Sequence, residues 1–369
     1  MSAGVSVVVP ARESNDTLGA LFESLARARA ELPAPSEVIV VDDSGPASRA
    51  ALERLCALHD VRLVPGGRHV GAKRNLGVAA AVFDVLLFVD SDCRASPALL
   101  REHWTTCASA GACAGPVEFA GPRSWLWPGL ELLGVPTGFR QAASGRRLLW
   151  AATANLSVRR SCFEAAGGFD ETLPSPGGGE DVDLGLRLTG RGVVIQGNPR
   201  ALVLHKTSTW NSPGAMLVRL ARYGRNEPAL LERHPGRGTT APPGHLTLLV
   251  PGAALWLAVG LLAHGAGQPW LAALWAAAYL AAWFARVLAL GRPDRGLLHS
   301  MAAAVVLELA YEAGRLASCW RRRHPGWMLR RLVLDERQVA AEWTNGSART
   351  WCWCAATALC ALVWIALGR

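Results

Sequence analysis

The 369-residue chain reads as an α/β domain with a mostly parallel central sheet, followed by a C-terminal α-helical transmembrane region. Three observations predict this. Short continuous apolar runs at 5–10, 38–41 and 85–89 have the length and composition of strands buried on both faces. Amphipathic helical stretches alternate with them, the β-α-β order of a doubly wound sheet. Beyond residue 245, segments 246–263, 270–290 and 351–367 are almost free of charge and long enough to cross a bilayer. The composition change places a globular domain at 1–240 and a membrane domain at 241–369.

The first strand, 5–10, leads to a polar loop in which Asn15 or Asp16 can cap a helix. That helix runs to about residue 29, with Leu18, Leu21, Phe22 and Leu25 on one face. Pro33 and Pro35 break it. The strand at 38–41 ends in Asp42-Asp43-Ser44-Gly45 and is followed by a helix at 47–59 and a strand at 62–64. A glycine-rich segment, 66–77, opens a helix carrying Lys73, Arg74 and Asn75 in its first turns. Helix N-terminal amides and two cations can meet a diphosphate; the same pattern also suits a solvated helix start.

The strand at 85–89 runs into Asp90-Ser91-Asp92. Charge cannot sit in a doubly buried strand, so both acids emerge at its C-terminal end, the edge where open α/β sheets bind ligands. Two carboxylates around a turn residue can hold a divalent cation, and equally can form an Asx-type turn. No G-x-G-x-x-G follows the first strand and no G-x-x-x-x-G-K-[ST] occurs, which excludes a dinucleotide site and a P-loop.

Further along, 97–107 reads as a helix, 112–119 as a strand, and 121–147 as a variable loop region rich in Gly, Pro, Arg and Trp. Trp125 and Trp127 there are candidates for stacking, for a lipid interface or for packing. Gly167 and Gly168 suit a helix C-terminus. A flexible loop, 174–179, precedes a helix beginning at Glu180-Asp181, where acids also suit the macrodipole. Short strands at 193–196 and 201–204 follow, the second ending in His205-Lys206.

Net charge is +9, nearly all from arginine, since Lys73 and Lys206 are the only lysines. The densest basic cluster, Arg321-Arg322-Arg323-His324 with Arg330-Arg331, lies between hydrophobic segments. That favours anionic lipid headgroups as a partner; no nucleic-acid module is recognisable and no nucleic-acid partner is expected. Nine cysteines lack disulfide or metal spacing, so the globular part is expected in a reducing compartment. The run 5–10 is too short for a secretory signal and meets Arg12 and Glu13 at once.

In order and spacing, several segments resemble the family 2 glycosyltransferases. They are Val7-Val8-Val9-Pro10-Ala11-Arg12-Glu13, Val38-Ile39-Val40-Val41-Asp42-Asp43, Gly71-Ala72-Lys73-Arg74-Asn75-Leu76-Gly77, Phe88-Val89-Asp90-Ser91-Asp92, Ala154-Asn155 with Gly167-Gly168-Phe169-Asp170, and Glu180-Asp181. The resemblance implies a GT-A-type fold that binds a nucleoside-diphosphate sugar. It implies that Pro10, Ala11 and Glu13 line the nucleoside pocket, that Asp43 bonds the base edge, that Arg74 faces the diphosphate, and that Asp90 faces the ribose and metal region. By the same resemblance Asp92 ligates Mg2+ or Mn2+, and Asp181 is the catalytic base with Glu180 orienting it or touching the acceptor. Asn155 would orient donor or acceptor hydroxyls, or serve as a turn residue. His205 would be a metal or diphosphate contact, or a structural histidine. Asp42-Asp43-Ser44-Gly45 and Arg68-His69 depart from the family pattern, which bears on the base and sugar rather than on the chemistry.

Arg219 and Tyr223 stand where processive synthases carry the ends of Gln-x-x-Arg-Trp, which points to single-sugar addition. The loop 264–268 has no Lys or Arg while 291–295 has two Arg, so positive-inside logic puts the globular half on the cytoplasmic side of the cell membrane in a multi-pass chain. The segment 297–320 carries Glu308, Glu312 and Arg315 on one helical face and is expected to lie in the interface, or else to add a span. The resulting expectation is a membrane-bound inverting glycosyltransferase of envelope glycan or glycolipid synthesis with a lipid-linked or glycan acceptor. The alternatives are a polyprenyl-phosphate sugar synthase, and a membrane scaffold with an inactive transferase-like domain.

Overall fold

A computed structural model describes residues 2–174, 178–240, 244–264, 269–290, 296–334 and 336–367. The chain divides into two compact units, Met1–Arg123 with Gly134–Ser212, and Ser124–Leu133 with Pro213–Arg369.

In the first unit the opening elements alternate as expected: β1 (Ser2–Ala11), α1 (Asn15–Ala30), β2 (Ser36–Asp42), α2 (Pro46–Leu58), β3 (Arg62–Pro65), α3 (Val70–Ala80) and β4 (Phe83–Val89). β1 pairs in parallel with β2 and β4, and β2 with β3. The apolar runs are buried on both faces because they feed two cores. Val7, Val9, Leu87 and Val89 join Leu18, Leu21 and Leu25 of α1 on one side, while Val8, Leu86 and Phe88 point to the other, the period of two that a strand imposes.

β5 (Cys93–Ala95), α4 (Leu99–Ala110), β6 (Gly111–Ala114) and β7 (Val117–Ala120) come next. A single strand was expected over 112–119. It breaks at Gly115-Pro116, since proline has no amide hydrogen to carry a ladder onward. β6 stays in the large sheet and β7 enters a second, three-stranded one. The expected loop at 121–147 also contains α5 (Trp127–Leu132), which belongs to the second unit, α6 (Val135–Arg140) and β8 (Arg147–Leu148). Trp127 is buried and Trp125 exposed. β9 (Asn155–Arg159), α7 (Arg160–Ala165), α8 (Glu180–Gly190), β10 (Val194–Gly197) and β11 (Val203–Lys206) complete the unit. The large sheet runs β3-β2-β1-β4-β9-β6-β10-β8 and the small one β5-β11-β7. β9 lies antiparallel between β4 and β6. Residues 175–177 of the expected glycine-rich loop lie outside the described residues.

Gly77 lets α3 lie directly on β1: a Cβ there would stand 2.3 Å from Val8 Cγ1. The close approach brings Lys73 and Arg74, one turn earlier, to the C-terminal ends of the parallel strands.

The second unit holds α9 (Pro213–Arg233), β12 (Gly238–Thr240), α10 (His245–His264), α11 (Pro269–Leu290), α12 (Leu297–Arg321), β13 (Arg330–Leu332) and α13 (Glu336–Ala366). Among the described residues three segments are long and apolar enough to cross a membrane, His245–Leu262, Leu297–Arg321 and Arg349–Ala366; Pro269–Ala285 is a shorter apolar helix. The segment expected in the interface is thus one of the three. Its charges are partnered: Glu308 pairs with Arg349, Glu312 accepts from the Leu246 amide at 2.5 Å, and Arg315 Nε lies 2.6 Å from Glu227 Oε2. α9 crosses α12 at two glycines, with Gly224 against the Tyr311 carbonyl and Gly314 against that of Ala221. This packing puts α9 in the second unit, ahead of the expected division at 240. Residues 265–268 and 291–295, on which the expected orientation rests, are outside the described residues.

Gly77→Val forces a branched side chain into the α3–β1 contact. Overpacking of this kind costs about 1–3 kcal/mol, so thermal unfolding should show a lowered midpoint with the secondary structure retained.

Candidate active site

The loops after β1 and β2 are laced together. Glu13 adopts a left-handed φ of 50°, and its amide donates to Ser44 Oγ at 2.7 Å. Its carboxylate accepts from the Gly45 amide at 2.7 Å and from the Ser48 hydroxyl, capping α2; these bonds hold its pKa below the usual carboxylate value. Pro10 and Ala11 are buried at the end of β1. Lys73 Nζ donates to the Ala11 carbonyl at 2.6 Å and pairs with Asp43, while Arg12 Nε lies 3.9 Å from the other Asp43 oxygen. Asp43, expected on a base edge, therefore sits between two cations that join the ends of β1, β2 and α3.

Arg74 is the residue expected to face a diphosphate. It is 3% exposed, with Nη1 2.8 Å from Glu180 Oε1 and Nη2 3.0 Å from Asp90 Oδ1. Its guanidinium also lies over the Phe169 ring, 5.4 Å from the centroid. A guanidinium can be buried only where carboxylates complete its fork, and here those carboxylates come from the end of β4 and the first residue of α8. Arg74 is the clamp between them.

Asp181 follows on α8. Its Oδ1 accepts from the Val182 amide at 2.8 Å. Burial, and then the charge of Glu180, push its pKa up to about 7, against the opposing pull of the Val182 amide and Arg74. A carboxylate tuned to this range is suited to accept a proton near neutrality.

Asp92 and His205 converge from the end of β4 and from β11, with His205 Nε2 3.4 Å from Asp92 Oδ1. Phe119 packs 5.3 Å from the His205 ring, and Trp210 packs 5.4 Å from Phe119. His205 Nδ1 lies 2.9 Å from the Lys206 carbonyl, which can only accept, so the proton of the neutral ring is on Nδ1. Nε2 then presents a lone pair to a carboxylate oxygen, an arrangement satisfied by a cation between them. Cys93 Sγ is the third potential ligand atom in this group. Burial pushes its thiol well above the usual range, and Asp90 and Asp92 add to the effect. Sulfur is a soft donor, so the donors that fit a hard divalent ion are the Asp92 carboxylate and the His205 imidazole.

Asn155, expected to orient hydroxyls or to serve as a turn residue, is wholly buried. Its Nδ2 donates to the Pro116 and Ala201 carbonyls at 3.0 and 2.7 Å, and Oδ1 accepts from His103 Nε2 at 2.8 Å. Burial moves His103 down to about 4, so this ring is neutral, and its Nδ1 is available to Ser157 Oγ at 2.7 Å. With its amide satisfied inside the protein, Asn155 pins β9 to the chain around β7 and β11. The partners that the motifs did not reveal, Phe169 under Arg74 and Phe119 beside His205, are separated from them by dozens of residues and carry no local signal.

The family model described as glycosyl transferase family 2 matches residues 6–164. The pre-mycofactocin glycosyltransferase of Mycobacterium tuberculosis (strain H37Rv) is 31% identical to this chain over 294 residues, which are 73% of this chain and 55% of that protein. Validoxylamine A glucosyltransferase of Streptomyces hygroscopicus subsp. limoneus is 25% identical over 263 residues, covering 62% and 57%. The chain thus spans little more than half the length of these relatives. A mannosyltransferase of Pyrobaculum calidifontis, solved with GDP-mannose and Mn2+, superposes with a TM-score of 0.50 at 20% identity, over 87% of this chain and 88% of that one. The likeness is one of fold.

Arg74→Met removes the clamp and leaves Glu180 buried beside Asp181 without its partner. Loss of one member of a buried pair costs about 3–5 kcal/mol, read as a fall in the thermal midpoint. Arg74→Lys keeps the charge but not the two-pronged geometry and should recover only part of it.

Proposed function

We propose that this chain is a membrane-bound, metal-dependent inverting glycosyltransferase. It moves one sugar from a nucleoside-diphosphate sugar to a lipid-linked or membrane-proximal hydroxyl acceptor. The observation that carries the reading is the Asp90–Arg74–Glu180 bridge, which ties the strand end bearing Asp92 to the helix bearing Asp181. The family match supports the reaction class. The relatives named for glycosyl and glucosyl transfer, and the neighbour solved with GDP-mannose and Mn2+, support a nucleotide-sugar donor with a divalent ion. The three apolar helices support a membrane location, and the two arginines in 291–295 against none in 264–268 support a catalytic unit on the cytoplasmic side.

In the proposed reaction Asp181 takes the acceptor hydroxyl proton. Oδ1 is engaged by the Val182 amide, so Oδ2 is the receiving atom. The acceptor oxygen bonds the anomeric carbon as the bond from that carbon to the diphosphate oxygen breaks on the opposite face, which inverts the centre. Asp92 and His205 would hold Mg2+ or Mn2+, which would supply positive charge to stabilise the departing diphosphate. Glu180, fixed by Arg74, keeps Asp181 in place and raises its basicity.

Three experiments test this. His205→Ala should abolish the rise in thermal midpoint produced by Mn2+ with a nucleoside diphosphate; an unchanged rise removes His205 from the metal site. Asp181→Asn should keep nucleotide-sugar binding and lose transfer. Because the Asp181 carboxyl has a pKa of about 7 and must be ionised to accept a proton, wild-type turnover should fall about tenfold per pH unit below that value. Retained turnover in Asp181→Asn would instead indicate a phosphate acceptor, which needs no base.

A further inference from the structure

The basic cluster after α12 contains arginines of two kinds. Arg315 is buried against Glu227, with the Trp327 and Arg330 carbonyls at 2.8 and 2.5 Å. Arg331 Nη1 lies 3.1 Å from Glu227 Oε2. Arg322 pairs with Glu232, and Arg330 donates to the Pro235 and Gly238 carbonyls. These four hold the α9–α12–β13 corner together. Arg321 and Arg323 do not share in this. Arg321 Nε reaches only the Ala317 carbonyl of its own helix, at 3.2 Å. The Arg323 side chain has no partner among the described residues, on a backbone held at φ 56°. Both are exposed, as is His324.

Apolar side chains are exposed in the same short stretch: Trp320 at 86%, and Leu329 at 46%. An uncovered tryptophan beside unpaired guanidinium groups, at the end of a helix long and apolar enough to cross a bilayer, matches the chemistry of the membrane–water interface. There indole rings settle at headgroup depth and arginines meet lipid phosphates. Polar solvent alone gives no reason to expose Trp320, and a purely apolar partner gives no use for Arg321 and Arg323.

We infer that Trp320, Arg321, Arg323 and His324 form a binding surface for anionic phospholipid headgroups. Arg321 and Arg323 contact the phosphodiester and Trp320 inserts beside it. The inference rests on the membrane reading above. It assigns the unpaired arginines a ligand, and gives the enzyme a requirement for anionic lipid that is separate from its donor site.

The test uses the purified full chain in detergent with equal phosphatidylglycerol and phosphatidylcholine, bound lipid being counted by native mass spectrometry. Wild type should retain phosphatidylglycerol selectively. Selectivity should fall about fivefold for each arginine removed in Arg321→Gln and Arg323→Gln. The charge-matched double variant Arg27→Gln/Arg54→Gln, on exposed helical positions of the first unit, should leave it unchanged, and Trp320→Ala should weaken retention of both lipids. Equal retention of the two lipids by wild type overturns the inference, as does full selectivity in the Arg321/Arg323 double variant. Displacement of the lipid by inorganic phosphate overturns it too, by identifying a soluble anion as the ligand. Alkaline carbonate washing separates the two readings: release of the chain from membranes defeats the membrane reading itself, whereas a chain that stays bound yet shows no lipid selectivity defeats only the headgroup assignment.

Discussion

One buried guanidinium organises the catalytic unit. Arg74 stands between Asp90 at the end of β4 and Glu180 at the start of α8, two positions far apart in sequence. Inside a protein, such an ion is tolerated only with its carboxylates in place, so the bridge is as much a constraint as an attraction. Strand end and helix must meet, or three charges are stranded. The requirement sets Asp181, the proposed base, beside an acid that raises its pKa. Gly77 supports the same bridge from beneath, by letting α3 close on β1.

Much of this fold was legible in the chain because its first half is locally consistent. The runs at 5–10, 38–41 and 85–89 are apolar without interruption, as only doubly buried strands are. Their ends are marked by acids that cannot enter the core. Where local pattern and tertiary demand diverge, the reading went astray. The run at 112–119 looks continuous, but Pro116 cannot donate to a ladder, and the chain uses that point to change sheets. Asn155 sits in a motif shared with sugar-binding enzymes, yet its amide is consumed by the carbonyls of Pro116 and Ala201. Arg74 was recognisable as important but not as buried, because the carboxylates that bury it lie 16 and 106 positions away. Spacing along a chain does not encode such distances.

The second unit illustrates a related limit. Composition alone placed its start where charge thins out, near residue 240. Its packing begins earlier, at α9, whose glycine Gly224 meets Tyr311 and whose Glu227 accepts Arg315 and Arg331. Charges that made α12 look interfacial are instead matched one by one by neighbouring helices. The consequence is a helix that is apolar enough to cross a bilayer and still carries Glu308, Glu312 and Arg315 within it. Arg321 and Arg323, with no carboxylate partner among the described residues, stand beside Trp320 at its end.

We propose that the edge tied together by Arg74 holds the donor through Asp92 and His205, with Asp181 as the base. Anomalous diffraction from crystals containing Mn2+ and a nucleoside diphosphate decides whether it does. A manganese peak bonded to Asp92 and His205 is expected, with the diphosphate on that ion and Arg74 still closed on Asp90 and Glu180. A peak held elsewhere, or an Arg74 that has left Glu180 to bind the diphosphate, would contradict it.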